Sequence, residues 1–169
     1  MSEGRGSGAP LRAGIVGARR VRQGLGPFVA RDLSACGVEV HMVLGTTEDT
    51  ARAAADRVGE QLARTTGAPP PRWTDDPDEF DAADLQMACV LSPAGTHLAH
   101  VERALAAGRH VLCEKPFLWE PEARWSETAA DLEARFDADQ RILAVNTQWP
   151  WSLDAHAAAT GPRAETVGS

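Results

Sequence analysis

The residue best suited to chemistry is Lys115, the only lysine among the 17 basic residues of this 169-residue sequence. The other basic side chains are arginines, which stay charged and cannot exchange a proton near neutral pH. A lysine that a cleft partly shields from water can act as a general acid or base. Lys115 follows an apolar segment and lies between Glu114 and Pro116, so the alternative is a surface cation paired with Glu114.

Arginines and glycines dominate the loop after the first apolar segment of the chain. Gly17 and Ala18 begin this loop, and Gly24 gives it flexibility before the next helix. Arg19 and Arg22 occupy the second and third glycine positions of the G-x-G-x-x-G dinucleotide fingerprint. We predict that these residues bind a dinucleotide, with the guanidinium groups holding its pyrophosphate through bidentate hydrogen bonds. The alternative is that both arginines are solvated loop charges.

The turn after the second apolar segment carries Gly45, Thr46 and Thr47. Sites selective for NAD normally have an Asp or Glu here, which binds the ribose hydroxyls. No acid follows this segment directly, and a 2′-phosphate would meet no repulsion from glycine or threonine. We therefore predict that Gly45 and Thr46 accept NADP, or do not distinguish it from NAD. A threonine that caps the next helix is compatible with either outcome.

Short apolar segments alternate with amphipathic segments along the chain, and this alternation predicts the elements that position these residues. Strands are predicted at residues 11–16, 38–44, near 73, 87–91, 110–113 and 142–145. Helices are predicted at residues 27–34, 48–62, 76–82, 96–107 and 121–136, with Trp119 and Trp125 packed against the last one. The pattern indicates an α/β fold with a doubly wound parallel sheet, Rossmann-like, whose ligands bind at the carboxyl ends of the strands.

The turn after the fourth predicted strand is a further candidate site, because its residues face the same edge of the sheet. Ser92 and Pro93 form this turn, and His97 follows in the next helix. We predict that His97 caps that helix or packs beside the cofactor. His97 and His100 lie three residues apart without a third ligand arranged beside them, so the sequence predicts no metal site.

Residues 84–117 (DLQMACVLSPAGTHLAHVERALAAGRHVLCEKPF) resemble the signature of the Gfo/Idh/MocA oxidoreductases. That signature has a strand, a proline turn, a Thr-His helix start and an AL-x-x-G-x-H-V-x-x-EKP run, and the resemblance covers residues 11 to about 149. It implies an NAD(P)-binding Rossmann domain in which Lys115 lies near the nicotinamide and takes part in substrate binding and proton transfer. The resemblance also implies that Glu114 lies near the cofactor and orients this site. The chain departs from the family pattern at Ala94, where asparagine is usual.

We divide the chain into a flexible N-terminus at 1–10, the NAD(P)-binding domain at 11–150, and a tail at 151–169 without a complete substrate domain. Asp154 and His156 have no framework that would aim them at Lys115. We therefore expect hydride transfer at a sugar or polyol hydroxyl only if a homo-oligomer or a separate subunit completes the site. The alternatives are a non-catalytic nucleotide-sensing or interaction module, and a non-functional truncated product.

The overall composition excludes several classes of partner. A net charge of −7 disfavours binding to nucleic acids and anionic membranes. No run of about 18 apolar residues is present, so the sequence predicts no membrane span. The cysteines are odd in number and widely spaced, which predicts buried, reduced thiols and a cytoplasmic protein.

The arginine loop yields a testable prediction. The double variant Arg19→Ala with Arg22→Ala should bind a pyridine nucleotide more weakly than the original chain, and with less dependence on salt, because it lacks two screened charge contacts. Calorimetric titration at low and high salt measures both quantities. Unchanged affinity would show that these arginines are solvated charges.

Overall fold

Six parallel strands form the sheet of the computed structural model, which describes residues 9–18, 24–119 and 125–147. The strands are β1 (Arg12–Val16), β2 (Glu39–Leu44), β3 (Arg72–Thr74), β4 (Met87–Val90), β5 (His110–Glu114) and β6 (Leu143–Asn146). Their order across the sheet is β3-β2-β1-β4-β5-β6, and every neighbouring pair is parallel. Successive strands are added on one side of β1 as far as β3, and then on its other side from β4 to β6. In a doubly wound sheet the ligand crevice lies at this switch point between β1 and β4.

Helices cover both faces of this sheet. They are α1 (Gly26–Ala35), α2 (Glu48–Thr65), α3 (Pro77–Ala82), α4 (His97–Ala106) and α5 (Trp125–Ala138). One core cluster joins α1 and α2 to the sheet and includes Ile15 and Val58. A second cluster joins α4 and α5 to the sheet and includes Val101 and Phe136. The predicted doubly wound α/β fold is therefore confirmed.

The helix α3 joins edge strand β3 to central strand β4, and one aromatic ring anchors it. Phe80 is 3% exposed and packs with Met42, Leu44 and Val16. Gly14 in β1 makes room for this ring, because a Cβ atom there would lie 2.5 Å from Phe80 Cζ. Burial of such a ring stabilises the fold by roughly 1.5–3 kcal/mol.

The prediction that two tryptophans pack against the last helix is wrong. Trp119 is 59% exposed and Trp125 is 40% exposed, and their ring centroids lie 6.2 Å apart. The helix α5 buries Leu132 and Phe136 instead. Trp125 is the first residue of that helix and precedes the turns that reach the sheet.

The prediction that all three cysteines are buried is wrong for Cys36, which is exposed. Cys36 follows the last residue of α1, where the chain turns away through Gly37, whose φ is +85°. Cys89 and Cys113 lie in central strands and are buried. Burial raises the pKa of each of these two thiols to about 12, so both stay protonated and unreactive near neutral pH.

Arg109 is a buried charge that connects α3 to the start of β5. Its side chain is 1% exposed, and its Nη2 lies 2.8, 2.9 and 3.0 Å from the carbonyl oxygens of Phe80, Asp81 and Ala83. The Phe80 and Ala83 carbonyls also accept from the amides of Ala83 and Leu85, so the guanidinium adds a charged donor to the end of α3. The guanidinium carbon also lies 5.2 Å from the centre of the Phe80 ring.

This contact predicts a large stability loss in Arg109→Ala, because three buried carbonyls would lose their charged donor. We expect the free energy of unfolding to fall by about 3 kcal/mol. The control is Arg103→Ala, whose exposed ion pairs with Asp78 and Asp81 should contribute less than about 1 kcal/mol. Urea denaturation measures both variants, and equal losses would contradict the assigned role of Arg109.

Candidate functional site

Gly17 makes the closest backbone approach at the crevice between β1 and β4. Its φ is +78°, and a Cβ atom at this position would lie 2.5 Å from both N and Cα of Ser92. Its amide donates a hydrogen bond of 3.2 Å to the carbonyl of Leu44. The position therefore requires glycine for both its conformation and its contact. Gly17 and Ser92, predicted from separate segments, are brought together.

Ala18 and Gly26 close the base of the loop after β1. Ala18 is 1% exposed, and a Cβ atom on Gly26 would lie 2.5 Å from the Ala18 carbonyl oxygen. After Gly17, Gly26 is thus the second glycine beside this loop whose missing side chain the structure requires, whereas the sequence analysis names Gly24. Arg19 and Arg22 lie outside the described residues, so their predicted role stays a prediction.

The helices α1 and α4, which begin beside the crevice, differ from α2 and α3 in their capping. Neither α1 nor α4 has a side-chain cap or an acidic residue in its first turn. By contrast, α2 begins with a capping box between Thr47 and Thr50, and α3 begins with Asp76 accepting from the amide of Asp78. The first amides of a helix attract anions when no side chain satisfies them. In α1, Pro27 has no N–H and the amides of Phe28 and Val29 donate to the Leu25 carbonyl, so this helix start offers a pyrophosphate mainly the positive end of its dipole.

The predicted adenosine end of the site lies where β2 ends. A Cβ atom on Gly45 would lie 2.6 Å from the backbone of Ala51, so glycine allows α2 to pack closely against this turn. Thr46 is exposed, and its Oγ1 lies 3.3 Å from Oγ1 of Thr50. Thr47 caps α2, as one interpretation of the sequence held.

A carboxylate that the sequence did not indicate lies beside this turn. Strands β2 and β3 pair with Leu44 opposite Thr74, and the Gly45 amide donates to the Thr74 carbonyl at 3.0 Å. Gly45 and Asp75 therefore begin two adjacent loops at the same edge of the sheet, and Asp75 is exposed. The residues that directly follow β2 do not reveal this acid, because Asp75 follows β3. The pairing of β2 with β3 is the signal that locates it.

His97 connects the turn after β4 to the loop after β5. Its side chain is 1% exposed, with Nε2 lying 2.7 Å from the carbonyl oxygen of Ser92 and Nδ1 lying 3.0 Å from that of Pro116. The predicted capping role is wrong, since α4 has no side-chain cap, and packing of His97 beside the cofactor stays a prediction. Pro93 lies in the same turn, and its carbonyl oxygen lies 2.8 Å from Thr96 Oγ1.

Glu114 and Lys115 follow each other at the carboxyl end of β5 but have different surroundings. Glu114 lies opposite Asn146 of β6, and Asn146 Nδ2 donates to Glu114 Oε2 at 2.7 Å. Lys115 is exposed, and no ion pair joins it to Glu114 within the described part of the chain. The described residues therefore do not provide the shielding from water that the sequence led us to expect for Lys115.

One turn after His97, the half-buried His100 lies on the same helix. Burial lowers the pKa of His100, and the neighbouring charge of Arg103 lowers it further, so its ring is neutral near pH 7. Among the described residues, no three His, Cys, Asp or Glu side chains are grouped to hold a metal ion. In the same ranges, none of the helices has the length and apolar character needed to cross a membrane.

Comparison with known sequences identifies the family. Residues 11–146 match the Gfo/Idh/MocA family, an oxidoreductase family with an NAD-binding Rossmann fold. The uncharacterized oxidoreductase ORF334 of Rhizobium meliloti is 36% identical over 152 residues, which make up 85% of this chain and 40% of that protein. The chain belongs to the Gfo/Idh/MocA family, and it spans about two fifths of the length of this curated relative.

Solved oxidoreductase structures share the fold. GenD2 from gentamicin A biosynthesis, solved with NAD, has a TM-score of 0.66 and 28% identity over 95% of this chain and 42% of its own. GnnA from Acidithiobacillus ferrooxidans, a UDP-N-acetylglucosamine 3-dehydrogenase, has a TM-score of 0.58 and 26% identity over 81% of this chain and 38% of its own. A variant of KijD10, a 3-ketoreductase of Actinomadura kijaniata solved with NADP, has a TM-score of 0.61 and 20% identity over 89% and 44%. The predicted NAD-binding Rossmann fold is confirmed.

The close contact at Gly17 can be tested against a glycine with the same conformation in open space. Gly37 has a φ of +85°, and a Cβ atom added to it would have no other atom within 4 Å. Gly37→Ala should therefore lower the free energy of unfolding by roughly 1–2 kcal/mol, the cost of holding alanine in the left-handed backbone conformation. Gly17→Ala adds a backbone clash with Ser92 and should lose at least about 3 kcal/mol. Urea denaturation compares the two, and similar losses would show that the contact with Ser92 is unimportant.

Proposed function

We propose that this member of the Gfo/Idh/MocA family binds NAD or NADP at the carboxyl edge of its sheet and serves hydride transfer at a hydroxyl-bearing carbon of a sugar. The observation that carries the proposal is the close approach of the Gly17 backbone to Ser92, at the reversal of the strand order and beside the uncapped start of α1. Relatives support the substrate class, since GnnA is a dehydrogenase of a nucleotide-linked sugar. The family and the NAD-containing structure of GenD2 support the cofactor.

In this proposal the dinucleotide lies across four strand ends. The pyrophosphate contacts the loop after β1 and the positive end of α1. The adenosine ribose lies near Gly45 and Thr46, and the nicotinamide lies near Ser92, Pro93 and Lys115. When bound, the nicotinamide supplies the acceptor or donor of the hydride.

Lys115 is the residue proposed to move the proton. Its amine would accept the proton of the substrate hydroxyl during oxidation and return it during reduction. Glu114 does not compete for this amine, because its carboxylate accepts a hydrogen bond from Asn146. The shielding that Lys115 lacks would come from the bound nucleotide and from a further domain, a second copy or a separate subunit.

We also infer a reducing compartment for this protein, the cytoplasm. Cys36, Cys89 and Cys113 are all free thiols, and Cys36 is exposed to solvent. Free exposed thiols are typical of proteins kept in reducing surroundings.

Calorimetric titration with NAD and NADP tests the proposed function. We expect both nucleotides to bind, because neither Gly45 nor Thr46 repels a 2′-phosphate. Asp75, which follows the adjacent strand β3, repels a 2′-phosphate weakly through solvent. Asp75→Asn should therefore raise the affinity for NADP relative to NAD by about fivefold, the effect of roughly 1 kcal/mol between charges 4 Å apart in water.

The control for this titration is Asp84→Asn, which removes an exposed carboxylate that pairs with Arg12 at the opposite edge of the sheet. It should leave the ratio of the two affinities unchanged. Failure of both nucleotides to bind the original chain would contradict the proposed function. An unchanged ratio in Asp75→Asn would contradict only the role given to Asp75.

A further inference from the structure

We propose that His97 is a positioning residue that connects the turn after β4 to the loop after β5 and so fixes the backbone position of Lys115. This inference rests on the proposed function, because it concerns the placement of Lys115 against a nucleotide bound beside Ser92. His97 itself is buried and lies behind the loops that it connects. It acts through those loops.

The geometry of the contact carries the inference. The two ring nitrogens of His97 lie 2.7 Å from the Ser92 carbonyl oxygen and 3.0 Å from the Pro116 carbonyl oxygen. Ser92 comes two residues after the end of β4, and Pro116 comes two residues after the end of β5. Both partners are main-chain atoms, so the ring connects the two backbones directly.

The imidazole ring suits this place because it presents nitrogen atoms at two separate points of a rigid frame. A neutral ring donates one of the two hydrogen bonds, and a doubly protonated ring donates both. In either form the ring fills the space between the two carbonyls. Phenylalanine would fill that space without any donor, and glutamine would keep a donor on a flexible side chain.

A second contact holds the other side of Lys115. Asn146 of β6 donates to the carboxylate of Glu114 at 2.7 Å, and the two residues are paired across β5 and β6. The loop is therefore held at the residue before Lys115 and at the residue after it. Between these two points the Lys115 side chain is exposed and free to reach a ligand. The backbone position of Lys115 is thus fixed, although its amine is not.

The single lysine makes this proposal directly testable. Reductive methylation with ¹³C-formaldehyde labels one lysine, Lys115, and the N-terminal amine, which has a separate NMR signal. We compare the original full-length chain with His97→Phe, which keeps an aromatic ring and removes every hydrogen bond that the imidazole donates. The matched control is His100→Phe, one turn along α4, which removes a half-buried imidazole that contacts neither carbonyl.

Two measurements are made on each labelled variant. The first is amide hydrogen exchange of residues 113–119 without nucleotide. It should become about tenfold faster in His97→Phe and stay unchanged in His100→Phe, as expected for loss of one to two hydrogen bonds. The second is the change of the Lys115 signal on addition of NAD. This change should be present in the original chain and in His100→Phe, and reduced or lost in His97→Phe.

The outcomes separate this proposal from the proposed function. If NAD does not bind the original chain, the proposed function fails, and exchange of residues 113–119 decides the role of His97. Equal exchange and an equal Lys115 response in His97→Phe would overturn the proposal. Faster exchange spread over the whole chain would also overturn it, since it would indicate general destabilisation. If His97→Phe does not fold, His97→Gln takes its place and should give an intermediate result on both measurements.

Discussion

The approach of the Gly17 backbone to the backbone of Ser92 governs how the rest of the site is arranged. These residues end β1 and β4, the two strands between which the order of the sheet reverses. Helices α1 and α4 leave that point on opposite faces of the sheet, and neither carries a side-chain cap. The sheet edge beside this close contact is therefore bordered by main-chain atoms and helix starts, which suit a ligand with several anionic oxygens.

Two buried side chains hold the loops near this sheet edge by contacting main-chain carbonyls. Arg109 binds three carbonyls at the end of α3, and His97 lies between the carbonyls of Ser92 and Pro116 in the loops that follow β4 and β5. Each side chain connects two segments beyond the residues that pair in the sheet. The loops at the site therefore have defined positions without a large apolar core of their own, and their exposed side chains remain available to a ligand.

The apolar pattern of the sequence was sufficient to predict the fold, because parallel strands covered on both faces require nearly continuous apolar segments such as residues 87–91. The same logic located Ser92, Glu114 and Lys115 at strand ends. Contacts between distant segments were not predictable in this way. Asp75 becomes relevant only through the pairing of β3 with β2, and the partners of Arg109 are carbonyls 26 to 29 residues away, which no side-chain pattern reveals.

The missing caps of α1 and α4 affect stability as well as binding. A side-chain cap contributes about 1 kcal/mol to a helix, and these two helices lack that contribution while α2 and α3 have it. A bound pyrophosphate would interact with the positive end of the α1 dipole and would bind only the folded chain. By mass action, the folded fraction would then rise with the concentration of free nucleotide. The cellular supply of the cofactor would in this way determine how long the protein survives proteolysis as well as how often its site is filled.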